Sequence, residues 1–298
     1  MSRRPLLRGA SLLRAPTWPT SVPRPPVERT TGVDYETAWA RRYGVRLARA
    51  LVLDGLTRPV LRAVASPTVD GLDRLEGVRG PVVFAANHAS HVDTPLLLAS
   101  LPDRFRHRAA VGAGADYFFD RRWKGAVWAF LINAIPIERL RPSPRSMRLA
   151  SSLLDDGWSL VIFPEGGRSP DGWGQEHHPG PAYLSVKSGA PVVPVHIEGT
   201  SRILGKGARR LRPGSTTVTF GAPLRAEAGE DARAFAVRIE AAIAALADEQ
   251  ATDWWTARRR AAAGSTPPLT GPDAVAWRRA WARPSRRRQV GHTRWPNL

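Results

Sequence analysis

Residues 81–95 read Pro81-Val-Val-Phe-Ala-Ala-Asn-His-Ala-Ser-His-Val-Asp-Thr-Pro95. An unbroken apolar run gives way to a polar loop carrying two histidines and a carboxylate, and Thr-Pro then opens a new segment. A short run with no polar alternation is a strand covered on both faces, and proline near the start of the next segment suits a first helical turn. The stretch therefore predicts a strand over 81–86 and a helix from Thr94. The same alternation recurs along the chain. Strands are expected near 109–111, 134–137, 159–163, 192–197 and 216–220. Helices are expected over 120–132, from the Ser143-Pro144 cap to Gly157, over 181–188, and over 231–246, where Ala232, Phe235, Ile239, Ala242 and Leu246 share a face. Strands alternating with helices define an α/β fold whose central sheet is mostly parallel and flanked by helices. One or two N-terminal helices should precede it, because Trp39, Tyr43, Leu47, Leu51 and Leu61 recur at mostly helical spacing, with Pro59 kinking or ending the first. Pro191 and Pro194 argue against ordinary central pairing for the strand at 192–197.

Composition bounds the function. The 298 residues carry 44 Lys plus Arg against 26 Asp plus Glu, a formal charge of +18, and no cysteine. With 43% apolar residues the chain can bury a core. The missing cysteine excludes a thiol nucleophile and any Cys-based metal or iron–sulfur site. Most of the positive charge sits in the two ends, which divides the sequence into a basic arm over 1–33, a nearly neutral domain over 34–250 and a Trp/Arg-rich tail over 251–298. Nearly all the basic residues are Arg, whose forked guanidinium suits phosphate, so an anionic partner is expected. Both a phospholipid surface and a nucleic acid satisfy that. The most apolar stretch, Ala126 to Ile137, is too short to span a bilayer and is broken by Asn133 and Pro136.

Four pieces carry chemistry. In the first, Asp93 follows His88 by five residues at a strand-to-helix corner, where a carboxylate could fix the tautomer of a basic histidine; a purely capping Asp93 is the alternative. His91 and His88 also form His-x-x-His, and His177-His178 lie farther on in a loop, so a His/carboxylate metal site is an alternative; no metal is expected. The second, Val161-Ile-Phe-Pro-Glu-Gly-Gly-Arg-Ser-Pro170, ends a strand in two glycines that let backbone approach a ligand and let Arg168 reach it; an ordinary Gly-rich turn with a surface Glu–Arg pair is the alternative. The third, Ile135-Pro-Ile-Glu-Arg139, is another strand end delivering an Arg. The fourth is Pro191-Val-Val-Pro-Val-His-Ile-Glu-Gly-Thr200.

In this order the four pieces resemble the glycerophospholipid acyltransferase family, over residues 50–225: Asn-His-x4-Asp, a strand ending in Arg, Phe-Pro-Glu-Gly-x-Arg-Ser, and a late Val-Pro-Val strand closing with Gly. The resemblance implies that His88 is the general base with Asp93 its partner, that Arg139, Glu165, Gly166 and Arg168 bind the acceptor's phosphate, and that the segment around Pro194 shapes the acyl site; because a carboxylate repels a phosphate dianion, Glu165 is expected to hold an Arg or to accept a bond from the acceptor's hydroxyl rather than to touch the phosphate. Gly167 stands where many members have Thr. The implied reaction moves an acyl group from acyl-CoA or acyl-carrier protein to a lysophospholipid, most simply 1-acyl-sn-glycerol-3-phosphate; glycerol 3-phosphate, dihydroxyacetone phosphate and other lysolipids are alternative acceptors. No cofactor is expected beyond acyl-CoA as co-substrate. The expected setting is peripheral, at an anionic membrane surface on the cytoplasmic face, with Trp277 and Trp281 of the tail on one helical face; a nucleic-acid-binding protein and a disordered basic tail are the alternatives, and no nucleic-acid partner is expected.

Overall fold

All four side chains of β2 (Val83–Ala86) are apolar and all four are buried, which is why this strand takes a central place in a seven-stranded sheet. The computed structural model describes residues 32–138, 143–169, 173–208 and 210–271. The other strands are β1 (Pro67–Asp70), β3 (Ala109–Gly114), β4 (Ala134–Ile137), β5 (Ser159–Ile162), β6 (Val192–Glu198) and β7 (Thr216–Phe220), in the order β1-β7-β6-β2-β5-β3-β4. Every neighbouring pair is parallel except β6 with β7. Alternate β2 side chains enter two separate cores. Phe84 and Ala86 meet Leu96 and Leu97 of α3 (Asp93–Ser100), and Phe84 sets its ring edge-on to Phe105 and Phe220. Val83 and Ala85 meet Leu153 and Leu154 of α7 (Pro144–Asp155), Leu184 of α8 (Gly180–Ser188), and Phe235, Ile239 and Ile243 of α10 (Ala232–Ala251). The α/β class, the mostly parallel sheet and the N-terminal helices read from the sequence are all present.

Two features differ from the sequence reading. β1 was not expected: Pro-Thr-Val-Asp is short and partly polar, and it survives as an edge strand paired to β7. β6 does take an interior position despite Pro194. The Pro194 carbonyl accepts the Gly221 N–H at 2.8 Å, so its missing donor falls beyond the end of the β6–β7 ladder, before the Val192–Leu224 bridge.

Before the sheet come α1 (Tyr43–Val52), a π-helical turn (Leu53–Thr57) and α2 (Arg58–Ala65) without a break, with Pro59 in the first turn of α2 directly after the π-helical turn. Buried Arg49 joins α1 to α6 (Arg122–Ile132) by donating to the Phe130 carbonyl at 2.8 Å and to the Ala40 carbonyl. Tyr43, Leu47 and Leu51, one helical turn apart, face away from the protein.

The segment from 251 onward, set apart in the sequence by its Trp and Arg, begins as helix α11 (Trp254–Ala262), capped by the Asp253 side chain. Ala257 is buried, Arg260 pairs with the nearly inaccessible Asp248 of α10 at 2.7 Å, and Leu269 packs into the second core while its carbonyl accepts the Gly174 N–H. Residues 272–298, with Trp277 and Trp281, lie outside the described residues, as do residues 1–31. Truncation after Ala251 should therefore lower the thermal midpoint by about 4 °C or more relative to truncation after Gly271, since it strips Asp248 of its partner and uncovers apolar surface. Equal midpoints by calorimetry would contradict the docking described.

Candidate active site

The carboxyl ends of β2, β5 and β6 lie side by side, because β2 pairs in parallel with both neighbours. In open α/β sheets this edge is where loops from adjacent strands converge on a ligand. β2 delivers residues 87–93, β5 delivers 163–169, and β6 delivers 199–200. Three polar ties lock the first loop to the other two. The Asn87 amide both donates to the Ile197 carbonyl at 2.9 Å and accepts its N–H at 2.7 Å. The His88 N–H donates to Glu165 Oε1 at 2.8 Å, and the His88 carbonyl accepts the Ser169 N–H at 2.8 Å.

On this frame the His88 Nδ1 lies 2.8 Å from Asp93 Oδ2. The same oxygen accepts the Ala89 and Ser90 N–H groups, each at 2.7 Å, and Oδ1 accepts the Thr200 hydroxyl at 2.5 Å. Asp93 is fully buried. Oδ2 already accepts two backbone N–H groups and faces Nδ1 as an acceptor too, so Nδ1 carries the imidazole proton and Nε2 presents its lone pair. The ring of Phe163 stacks on the imidazole at 4.2 Å between centroids, which fixes the ring plane. Asp93 thus does more than cap: it pairs with His88 and closes the loop around itself. The N–H groups of Ala89, Ser90, Val92 and Asp93 are all engaged within the loop.

The second loop turns at Gly166, whose φ of +67° is costly for a side chain bearing Cβ, and whose N–H closes onto the Phe163 carbonyl. Arg168 follows, half-buried, with no carboxylate paired to its guanidinium among the described residues. Its carbonyl and that of Gly167 accept the Gln175 side-chain amide. Burial, then the Arg168 charge, then His88 hold the imidazole of His91 below the usual histidine range, and its ring faces Tyr117. Arg139 lies outside the described residues; β4, which precedes it, is three strand spacings from β2, about 14 Å.

Residues 66–198 match the family model described as Acyltransferase. A chloroplastic 1-acyl-sn-glycerol-3-phosphate acyltransferase of Arabidopsis thaliana is 29% identical over 160 residues, 52% of this chain and 43% of that protein. The 1-acyl-sn-glycerol-3-phosphate acyltransferase of Bacillus subtilis is 28% identical over 145 residues, 48% of this chain and 66% of that protein. These similarities support the resemblance to the glycerophospholipid acyltransferase family over the matched region. It spans about half the length of the curated relatives it matches. The crystal structure of the 1-acyl-sn-glycerophosphate (LPA) acyltransferase PlsC from Thermotoga maritima shares the fold, with a TM-score of 0.56 and 23% identity over 73% of this chain and 88% of that one.

Among the acyltransferase motif residues, Glu165 sits differently from the ligand-facing role that the resemblance implied. Its side chain is turned inward, with Oε1 on the His88 N–H and Oε2 on the Gln175 N–H at 2.9 Å. It braces the His88 loop and is spent on backbone. Burial pushes its carboxyl up to about 8, against the pull of those two N–H groups, so the carboxyl is largely protonated at neutral pH. Thr200 and Phe163 were not singled out from the sequence. The signal for Phe163 was its place before Pro-Glu-Gly; for Thr200 it was only its place after the Gly that follows β6. Because the folded state holds the Glu165 proton more tightly than the unfolded chain, this group stabilises the fold fully below about 4.5, and that contribution is lost as pH rises to about 8. Thermal midpoints measured across that range should fall less steeply in Glu165→Gln than in the native protein. An identical slope in both would show that Glu165 does not titrate there.

Proposed function

We propose that the protein transfers an acyl group from a thioester, acyl-CoA or acyl-carrier protein, to the free hydroxyl of a lysophospholipid phosphate, with 1-acyl-sn-glycerol-3-phosphate as the preferred acceptor and phosphatidate as the product. The observation that carries this reading is the His88–Asp93 pair, with Nδ1 engaged at 2.8 Å and Nε2 left with its lone pair. Nε2 takes the acceptor's hydroxyl proton as its oxygen attacks the thioester carbonyl. The tetrahedral oxyanion collapses, the carbon–sulfur bond breaks, and the departing thiolate recovers the proton from the imidazolium. Asp93 stabilises that imidazolium through Nδ1. No residue is acylated. A thiolate leaves readily, so proton transfer and oxyanion stabilisation are the tasks left to the protein.

For the acceptor's phosphate we assign Arg168, whose guanidinium can fork onto two phosphate oxygens beside the His88 loop, with Arg139 as a second candidate. Glu165 supports this indirectly: turned inward and largely protonated, it places no negative charge against a phosphate. His88→Ala should lower acyl transfer by about 100-fold to 10,000-fold with the fold intact, and Asp93→Asn nearly as much. In the same assay Arg168→Lys should weaken the phosphorylated acceptor selectively, leaving the thioester donor's KM unchanged. Near-native turnover in His88→Ala would overturn the assignment of the base.

A lipid acceptor also calls for access to a bilayer surface, and we propose that the protein works peripherally. Among the described residues no helix is long and apolar enough to cross a membrane. On α1, Tyr43, Leu47 and Leu51 are 79%, 52% and 68% exposed, Leu56 and Val60 continue the apolar surface, and the exposed Arg42 and Arg62 border it. Apolar side chains rimmed by Arg suit an anionic interface. Replacing Leu47 and Leu51 together by Asp should reduce sedimentation with anionic vesicles. Unchanged sedimentation would remove α1 from membrane contact.

A further inference from the structure

β6 ends in Glu198, and the chain turns at Gly199 with φ +87°, where a Cβ would lie 2.3 Å from the Ser215 carbonyl oxygen. Only glycine fits, and the turn it permits starts the short helix α9 (Thr200–Leu204) directly behind the His88 loop. That helix grips the loop at both ends. At its start the fully buried Thr200 hydroxyl donates to Asp93 Oδ1; at its end the Leu204 carbonyl accepts the Ser90 hydroxyl at 2.7 Å, and Gly205 bridges to Ser90.

We propose that Thr200 is a positioning residue for the acyl-transfer reaction: its hydroxyl holds the Asp93 carboxylate in the rotation that aims Oδ2 at His88 Nδ1. The inference rests on the reading of His88 and Asp93 given above. Oδ2 carries three donors, the imidazole and two backbone N–H groups, whereas among the described residues Oδ1 has Thr200 alone. Without that hydroxyl, Oδ1 becomes a buried acceptor with no partner, and the carboxylate regains torsional freedom toward other donors in the loop. Each such rotation moves Oδ2 off the Nδ1–H, and the imidazole loses both its fixed tautomer and the anion that stabilises its protonated form. The effect falls on the proton-transfer step and not on binding, because Thr200 faces Asp93 from the side away from the ligand-facing imidazole nitrogen.

The test compares native protein with Thr200→Val, which keeps shape and removes the donor, Thr200→Ala, which removes it without any risk of overpacking, and Thr200→Ser, which restores it. Expected are a loss in kcat of about 10-fold to 100-fold for Val and Ala with KM for both substrates unchanged, and recovery with Ser. In an Asp93→Asn background the Thr200→Val change should cost nothing further, because there is no carboxylate left to hold. A merely structural Thr200 would add its effect to that of Asp93→Asn and would lower the thermal midpoint without separating kcat from KM. The imidazole nitrogen shifts of 15N-labelled His88 give a readout independent of turnover: the Nδ1–H tautomer in the native protein and a mixture in Thr200→Ala. Native kcat and a native tautomer in Thr200→Ala would overturn the proposal. A native protein that makes no acylated product would instead overturn the functional reading, and the tautomer would still decide the role of Thr200.

Discussion

Asp93 is the fixed point of the molecule. A carboxylate taken completely out of water must collect compensating hydrogen bonds or give up its charge, and this one collects them from an imidazole, two backbone N–H groups and a hydroxyl. Those donors come from its own loop and from the turn after the neighbouring strand β6, so the carboxylate is satisfied only when β2, the His88 loop and that turn are all in place. Burial of one carboxylate thereby links local loop closure to completion of the fold, and the same bonds leave His88 Nε2 with its lone pair.

The sheet makes this geometry repeatable. Parallel pairing of β2 with β5 and β6 sets three carboxyl-terminal loops in register, and the Asn87 amide, the Glu165 carboxyl and the Ser169 N–H lock the loops to one another once they are adjacent. Rigid strands packed into two cores thus position a site whose working groups all lie on loops. Glu165 shows how misleading residue type can be without geometry. Acidic and next to a proposed phosphate site, it contributes by bracing backbone from inside, in a form that burial keeps largely protonated.

Much of this was legible in the sequence because the determining signals are local. Apolar runs read β2 through β6, and a β-branched stretch read β7; the Ser143-Pro144 cap located α7, and the His88 to Asp93 spacing pointed to a contact that the fold then makes. What escaped depended on partners distant in sequence. β1 is recognisable only through β7, and the tolerance of Pro194 depends on where the β7 ladder stops. The hydroxyl of Thr200 meets a carboxylate 107 residues away, and Phe163 meets an imidazole only because two strands are adjacent. The apolar residues of α1 have the spacing of a buried face, and nothing local distinguishes that from the outward-facing arrangement they adopt.

The central claim is that the edge of the sheet performs thioester-to-alcohol transfer on a phosphorylated lysolipid. The most direct measurement follows both products at once when purified protein is mixed with oleoyl-CoA and 1-acyl-sn-glycerol-3-phosphate: free thiol by colorimetry and phosphatidate by mass spectrometry. The account predicts that the two appear in equal amounts and that neither forms when a lysolipid lacking the phosphate replaces the acceptor. Thiol released without acylated lipid, at the same rate with or without acceptor, would mark the protein as a thioester hydrolase and contradict the account.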